Sequence, residues 1–210
     1  LGVRRQRQMC IRDRSKDKLK DSYGAISDFN KAIEIDDQHQ KAFINRGYAK
    51  SDIGDHQGAI KDLTSAIEIN PEDAYAYSAR GYLKEKAGDY YAAISDYSKA
   101  IKINPRDDYS FSGRAYSKGQ IGDNNGAIND FTKAIEINSD DGFLFFGRGV
   151  YNNLAGNYNQ ACQDWVKASD LGYKNANKKA NECSNAGNVK ESINSLCLLY
   201  TSPSPRDLST

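Results

Sequence analysis

Arginine recurs at a fixed interval of 34 residues, at Arg46, Arg80, Arg114 and Arg148. Four guanidiniums in register could grip a phosphate or an acidic peptide, because each offers a rigid fork of donors that fits such oxygens. Sixteen residues after each arginine stands an aspartate: Asp62, Asp96, Asp130 and Asp164. The matched carboxylates favour a structural reading, in which each arginine closes an ion pair inside its own repeat. Cys162 and Cys183 are open to two readings, a disulfide, which needs Cα atoms about 4.4–6.8 Å apart, or two small buried thiols. A pair of cysteines alone makes no zinc site. His39 and His56 read as ordinary surface residues, one in a loop and one at the start of a helix. The chain presents no nucleophile with a base and an orienting group, no phosphate-binding glycine loop and no metal-ligand cluster. No catalytic residue, cofactor or metal is therefore expected, and the chain reads as a non-enzyme.

Composition narrows the field further. Of 210 residues, 39% are apolar and 27% charged, which excludes a collagen-like or low-complexity chain and argues against wholesale disorder. No apolar run approaches the roughly 20 residues of a membrane-spanning helix. The formal net charge of +1 gives no electrostatic case for nucleic acid.

Both ends look foreign to the middle. Residues 4–14 read RRQRQMCIRDR and residues 197–207 read CLLYTSPSPRD. They resemble translated adapter DNA from transposase-based sequencing libraries. MCIRD and LLYT can be written on opposite strands of one short DNA, which selection on a protein does not explain. The expectation is a metagenomic fragment with foreign tails at 1–14 and 197–210, set aside from fold reasoning. Leaving them out removes six basic and two acidic residues, so the middle carries a net charge of −3. The only methionine, Met9, goes with the first tail, as do Cys10 and, at the other end, Cys197. The compartment is not readable from what remains.

The elements that must position the arginines appear as a repeat. AISDFNKAIEI begins at Ala25, AIKDLTSAIEI at Ala59, AISDYSKAIKI at Ala93 and AINDFTKAIEI at Ala127; a fainter ACQDWVKASDL begins at Ala161. Each period holds two helical patterns, split by Gly54–Asp55, Gly88–Asp89, Gly122–Asp123 or Gly156–Asn157. Glycine supplies the left-handed residue that ends one helix, and the next residue caps the other. Pro71 and Pro105 follow second helices, where the helix must stop. Alanines seven apart, such as Ala59 and Ala66, share a face and flank a large residue: Phe29, Leu63, Tyr97, Phe131 or Trp165. Gly47, Gly81, Ala115 and Gly149 give the first helix a reciprocal notch. Each Arg–Asp pair is centred on its turn glycine, so a helical hairpin brings the two side by side. The midpoint of Cys162 and Cys183 likewise falls at the Leu171–Gly172–Tyr173 turn.

With an aromatic at Phe43, Tyr77, Phe111 and Phe145 and alanines and large residues at the spacing above, the chain resembles the tetratricopeptide repeat family over roughly residues 15–175. The resemblance implies an all-α fold, a right-handed α-solenoid of antiparallel helix pairs. It divides the chain into a truncated first repeat at 15–39, full repeats at 40–73, 74–107, 108–141 and 142–175, and a C-terminal capping helix region at 176–196. Two departures from the family pattern are the arginines themselves and Lys50, Lys84 and Lys118, where the family favours tyrosine. Their stems can cover the packing seam while the ammonium groups reach water, leaving a shallow basic stripe.

In that family a peptide lies in a concave groove lined by the first helices. Carried onto this chain, the lining is Lys41, Ile44, Tyr48, Tyr75, Ser78, Tyr82, Tyr109, Ser112, Tyr116, Phe143 and Phe146. This is a tyrosine-rich wall with an apolar end at Phe143 and Phe146. Tyrosine combines contact area with a hydroxyl at low entropic cost. The clamp that chaperone-tail binders of the family use for a C-terminal carboxylate is matched only at Asn45 and Lys41, both in one repeat, and is not implied. The resemblance thus implies a non-catalytic scaffold for a protein or peptide partner. Two alternatives stay open: an adaptor or regulatory region of a larger enzyme or signalling protein, and a purely structural spacer.

Overall fold

The structure is a computed structural model and describes residues 21–185. The tails read as foreign (1–14 and 197–210), residues 15–20 of the truncated repeat and residues 186–196 of the capping region lie outside the described residues. Among the described residues every regular element is helical. The chain divides after Ile137 into two compact units. The first holds α1 (21–35), α2 (Gln40–Asp52), α3 (His56–Ile69), α4 (Ala74–Lys86), α5 (Tyr90–Ile103), α6 (Asp108–Gln120) and α7 (Asn124–Ile137). The second holds α8 (Gly142–Leu154), α9 (Tyr158–Asp170), a 3₁₀ turn (Lys174–Ala176) and α10 (177–185). The fold is that of an α-solenoid: α2–α3, α4–α5 and α6–α7 are antiparallel hairpins stacked side by side in the first unit, and α8–α9 is a hairpin in the second.

Local chemistry sets the hairpins. Gly54, Gly88, Gly122 and Gly156 occupy the left-handed region, with φ between +81° and +86°, a conformation that a side chain resists. One residue after the first three the capping carboxylate takes over, whereas Asn157, after Gly156, makes no side-chain cap. Asp55 accepts the N–H of Gly58 at 2.9 Å, Asp89 that of Ala92 at 3.2 Å and Asp123 that of Gly126 at 2.8 Å. These caps satisfy donors that the first helical turn leaves without partners.

Between the helices small residues let backbones approach. Ala59, Ala66, Ala93, Ala100, Ala127, Ala134, Ala161 and Ala168 are fully buried. The large residues between them, Leu63, Tyr97, Phe131 and Trp165, fill the gaps. Tyr97 is the tightest case. Its ring lies 3.2 Å from where a Cβ on Gly81 would stand, and its Cζ only 2.4 Å from a Cβ on Gly113. Tyr97 therefore wedges its own hairpin against the next through two glycine notches. Its hydroxyl, 3.1 Å from Glu85 Oε2, donates to that carboxylate.

Gly113→Ala is expected to lower the unfolding free energy by about 1–3 kcal/mol through overpacking against Tyr97. Gly24→Ala, where a Cβ meets nothing within 4 Å, is expected to raise it by up to about 1 kcal/mol through helix propensity. Urea denaturation of the two variants gives opposite shifts of the midpoint.

Candidate functional site

The arginines do not form an open row. Each lies in the cleft of its own hairpin and meets its aspartate through two parallel bonds. Arg46 Nε and Nη2 donate to Asp62 at 2.9 and 2.7 Å, and Arg80 to Asp96 at 2.8 and 2.8 Å. Arg114 donates to Asp130 at 2.8 and 2.8 Å, and Arg148 to Asp164 at 3.0 and 2.6 Å. Phe43, Tyr77, Phe111 and Phe145 lie under the four guanidiniums, with ring centroids 5.3–5.7 Å away. The aspartates are all buried, so a bidentate partner is what keeps the charge tolerable.

The lysines differ from the sequence expectation. Lys50, Lys84 and Lys118 turn their ammonium groups inward, to 2.9, 2.8 and 2.8 Å from the same three carboxylates. Each follows its arginine by four residues, one helical turn, and so shares its face. The basic stripe is thereby consumed by the ion pairs. In the second unit Asn152 stands at the corresponding place and donates to Asp164 at 3.1 Å. The remaining guanidinium nitrogen reaches back to the hairpin before: Arg46 to Asn30 at 2.7 Å, Arg80 to Thr64 at 3.0 Å and Arg114 to Ser98 at 3.1 Å. The bond to Asp96, above all, holds the Arg80 guanidinium higher than its ordinary value.

The tyrosines of the first helices are a different surface. Tyr48, Tyr75, Tyr82, Tyr109 and Tyr116 are 37–58% exposed. They pair across neighbouring hairpins, Tyr48 with Tyr75 at 5.9 Å between centroids and Tyr82 with Tyr109 at 6.5 Å; Tyr116 meets Tyr90 at 6.5 Å. Partial burial, above all, pushes the phenols of Tyr48 and Tyr109 well above the usual tyrosine range. Lys86 rides over the Tyr82 ring at 5.2 Å, and Lys41 is exposed. Ile44, Ser78 and Ser112, expected on the same wall, are buried instead. Ile44 packs in the core with Leu63, Ala66 and Leu83, and Ser112 bonds the Tyr109 carbonyl at 2.9 Å. In the second unit Phe143 is exposed and Phe146 half-buried. Both pack on Tyr173, at 6.0 and 5.2 Å.

Cys162 and Cys183 are joined in a disulfide between α9 and α10, with Cα atoms 5.5 Å apart. Among the described residues no group of three or more His, Cys, Asp or Glu side chains could hold a metal ion, and no helix is long and apolar enough to cross a membrane.

The tetratricopeptide repeat models match residues 40–73, 74–107 and 110–141. Among solved structures the chain is similar to MamA, with 23% identity over 77% of this chain and 94% of that one at a TM-score of 0.70. It is also similar to MamA from Desulfovibrio magneticus RS-1, with 16% identity over 78% and 93% at a TM-score of 0.69. A third likeness is to YrrB, described as a TPR protein with an unusual peptide-binding site, with 18% identity over 74% and 80% at a TM-score of 0.64. At these identities the likeness concerns the fold. No curated protein sequence matches the chain.

Removing one buried carboxylate by Asp96→Ala is expected to cost about 3–5 kcal/mol, because Arg80 and Lys84 are left charged in the cleft without compensation. Replacing Arg80, Lys84 and Asp96 together by apolar residues of similar volume is expected to cost much less. Thermal unfolding of the two variants measures the contrast. Glu85 gives a pH test. Burial, partly offset by the Tyr97 hydroxyl, pushes its carboxyl above the ordinary glutamate range. The folded state thus holds this proton more tightly than the unfolded one. Its stabilising contribution is complete below the unfolded value and is lost as pH rises through the elevated folded value. Glu85→Gln is expected to flatten stability against pH across that interval and to raise stability at neutral pH.

Proposed function

Because this chain is a tetratricopeptide-repeat protein, we propose that it is a non-catalytic interaction scaffold that binds a peptide segment on the first-helix face of its hairpins. The observation that carries this reading is the set of half-exposed tyrosines on α2, α4 and α6, paired across hairpins, beside arginines already committed to aspartates. Rings held by their neighbours lose little freedom on binding, and their half-exposed faces offer contact area to a peptide. The guanidiniums are engaged through both bidentate nitrogens, so they are poor candidates for an acidic ligand. The peptide-binding site described for YrrB supports the use of this fold for such a role.

The repeat boundaries carry the same reading. We take 40–73, 74–107 and 108–141 as three equivalent binding repeats, 142–175 as a fourth and 176–196 as the cap. Tyr75 and Tyr109 open equivalent helices and would read side chains one repeat apart.

The test is selection of a peptide from a displayed random library on the immobilised full-length chain, followed by affinity measurement. Tyr75→Ala and Tyr109→Ala are each expected to weaken binding about tenfold or more, roughly 1.4 kcal/mol. Tyr91→Ala, on the second helix α5 and 73% exposed, is expected to leave affinity unchanged. Failure to select any peptide, or equal losses in all three variants, overturns the reading.

A further inference from the structure

The second unit contains an open cavity of about 380 Å³ lined by both Cys162 and Cys183, with Val166, Lys167 and Asp170 beside them. Both cysteines are half-buried, so the bond faces solvent through this opening and is not sealed in a core. What the bond holds is a light segment. Helix α10 buries Ala180, and the turn before it buries Ala176; side chains this small contribute little on burial. Beyond the disulfide, α10 is tied by a hydrogen bond between Ser169 and Asn177 at 3.0 Å and by Lys179 over the Trp165 ring at 5.4 Å. The firmer anchor lies upstream. Tyr173 sits on Phe143 and Phe146, and a Cβ on Gly142 would come within 2.9 Å of the Tyr173 Cβ.

We propose that Cys162–Cys183 is a thiol-exchange site, open to small thiol or dithiol reductants, whose reduction releases α10 from α9 while the α8–α9 hairpin stays folded. A thiolate entering the cavity attacks one sulfur, forms a mixed disulfide and expels the other cysteine as thiolate. A second reductant thiolate then attacks the reductant's sulfur in that mixed disulfide. The two cysteines leave as thiols after taking up two protons, and the reductant leaves as its own disulfide. Of the charged side chains in the lining, Lys167 favours the incoming thiolate and Asp170 opposes it. Release of α10 lifts Lys179 from Trp165 and opens the outer face of α9.

The experiment uses the full-length oxidised chain and two probes, 2-mercaptoethanol and glutathione. Alkylation of Cys162 and Cys183 by iodoacetamide is read from the peptides that hold them, apart from Cys10 and Cys197, amide hydrogen exchange is followed by segment, and emission is read from Trp165, the only tryptophan in the sequence. Both cysteines are expected to become alkylated under native conditions while α8 and α9 keep their protection. Exchange across 177–185 is expected to rise about tenfold or more, and Trp165 emission to shift to longer wavelength. Cys183→Ser is expected to show the same exchange and emission without reductant. Reduction that proceeds only as α8 and α9 lose protection overturns the proposal and leaves a structural staple. Unchanged protection of 177–185 in Cys183→Ser overturns it too, as does alkylation of both cysteines before any reductant is added.

Discussion

A carboxylate buried in each helical hairpin is the constraint around which the rest is arranged. Asp62, Asp96, Asp130 and Asp164 lie where water cannot solvate them, and a bare charge there is incompatible with a stable fold. The arginine opposite answers with two parallel bonds, an aromatic ring supports the guanidinium, and in the first unit a lysine one turn later adds a third contact. These demands fix side-chain identity at four places on two helices and hold the helices in one rotational setting. Alanines then permit the close approach that this setting needs. An apolar set of the same volume would pack as well, without the directional demand that a bidentate pair places on both helices.

The same arrangement divides labour between faces. Charges are drawn into the hairpin clefts, and the first-helix face of the first unit is left to tyrosines. That separation explains why a chain with more than a quarter of its residues charged presents an aromatic rather than an ionic candidate surface. The second unit departs from the pattern in instructive ways. Asn152 replaces the lysine, Phe143 and Phe146 replace a tyrosine and a serine, and Tyr173 from the following turn lies on them.

Much of this was legible in the residues. The 34-residue period, the turn glycines and the small–large–small pattern specify helical hairpins, because each is a local steric requirement. The meeting of Arg46 with Asp62 can be reasoned from their equal distance to Gly54 alone. Other points needed coordinates. Ile44, Ser78 and Ser112 stand three residues after the wall positions Lys41, Tyr75 and Tyr109, a rotation of about 300°, so they turn roughly 60° away toward the core. A consensus spacing does not resolve that angle. The inward turn of Lys50, Lys84 and Lys118 is not legible either, because a sequence does not show that the neighbouring carboxylate still has a lone pair to offer. The oxidation state of Cys162 and Cys183 is equally invisible, since two thiols and a disulfide have the same spacing.

The guanidinium also has a third nitrogen, which in the first unit reaches one hairpin back, to Asn30, Thr64 or Ser98. Each buried carboxylate finds its cations wholly inside its own hairpin, and only a neutral hydrogen-bond acceptor is asked of the neighbour. Three different side chains already meet that request. Whole hairpins can therefore be inserted, deleted or exchanged by unequal recombination without stranding an ion, whereas insertion or deletion of half a hairpin strands an arginine or an aspartate. The molecule is, in this sense, granular to its own genetics: the unit in which it can lengthen is the unit in which its ion pairs are complete.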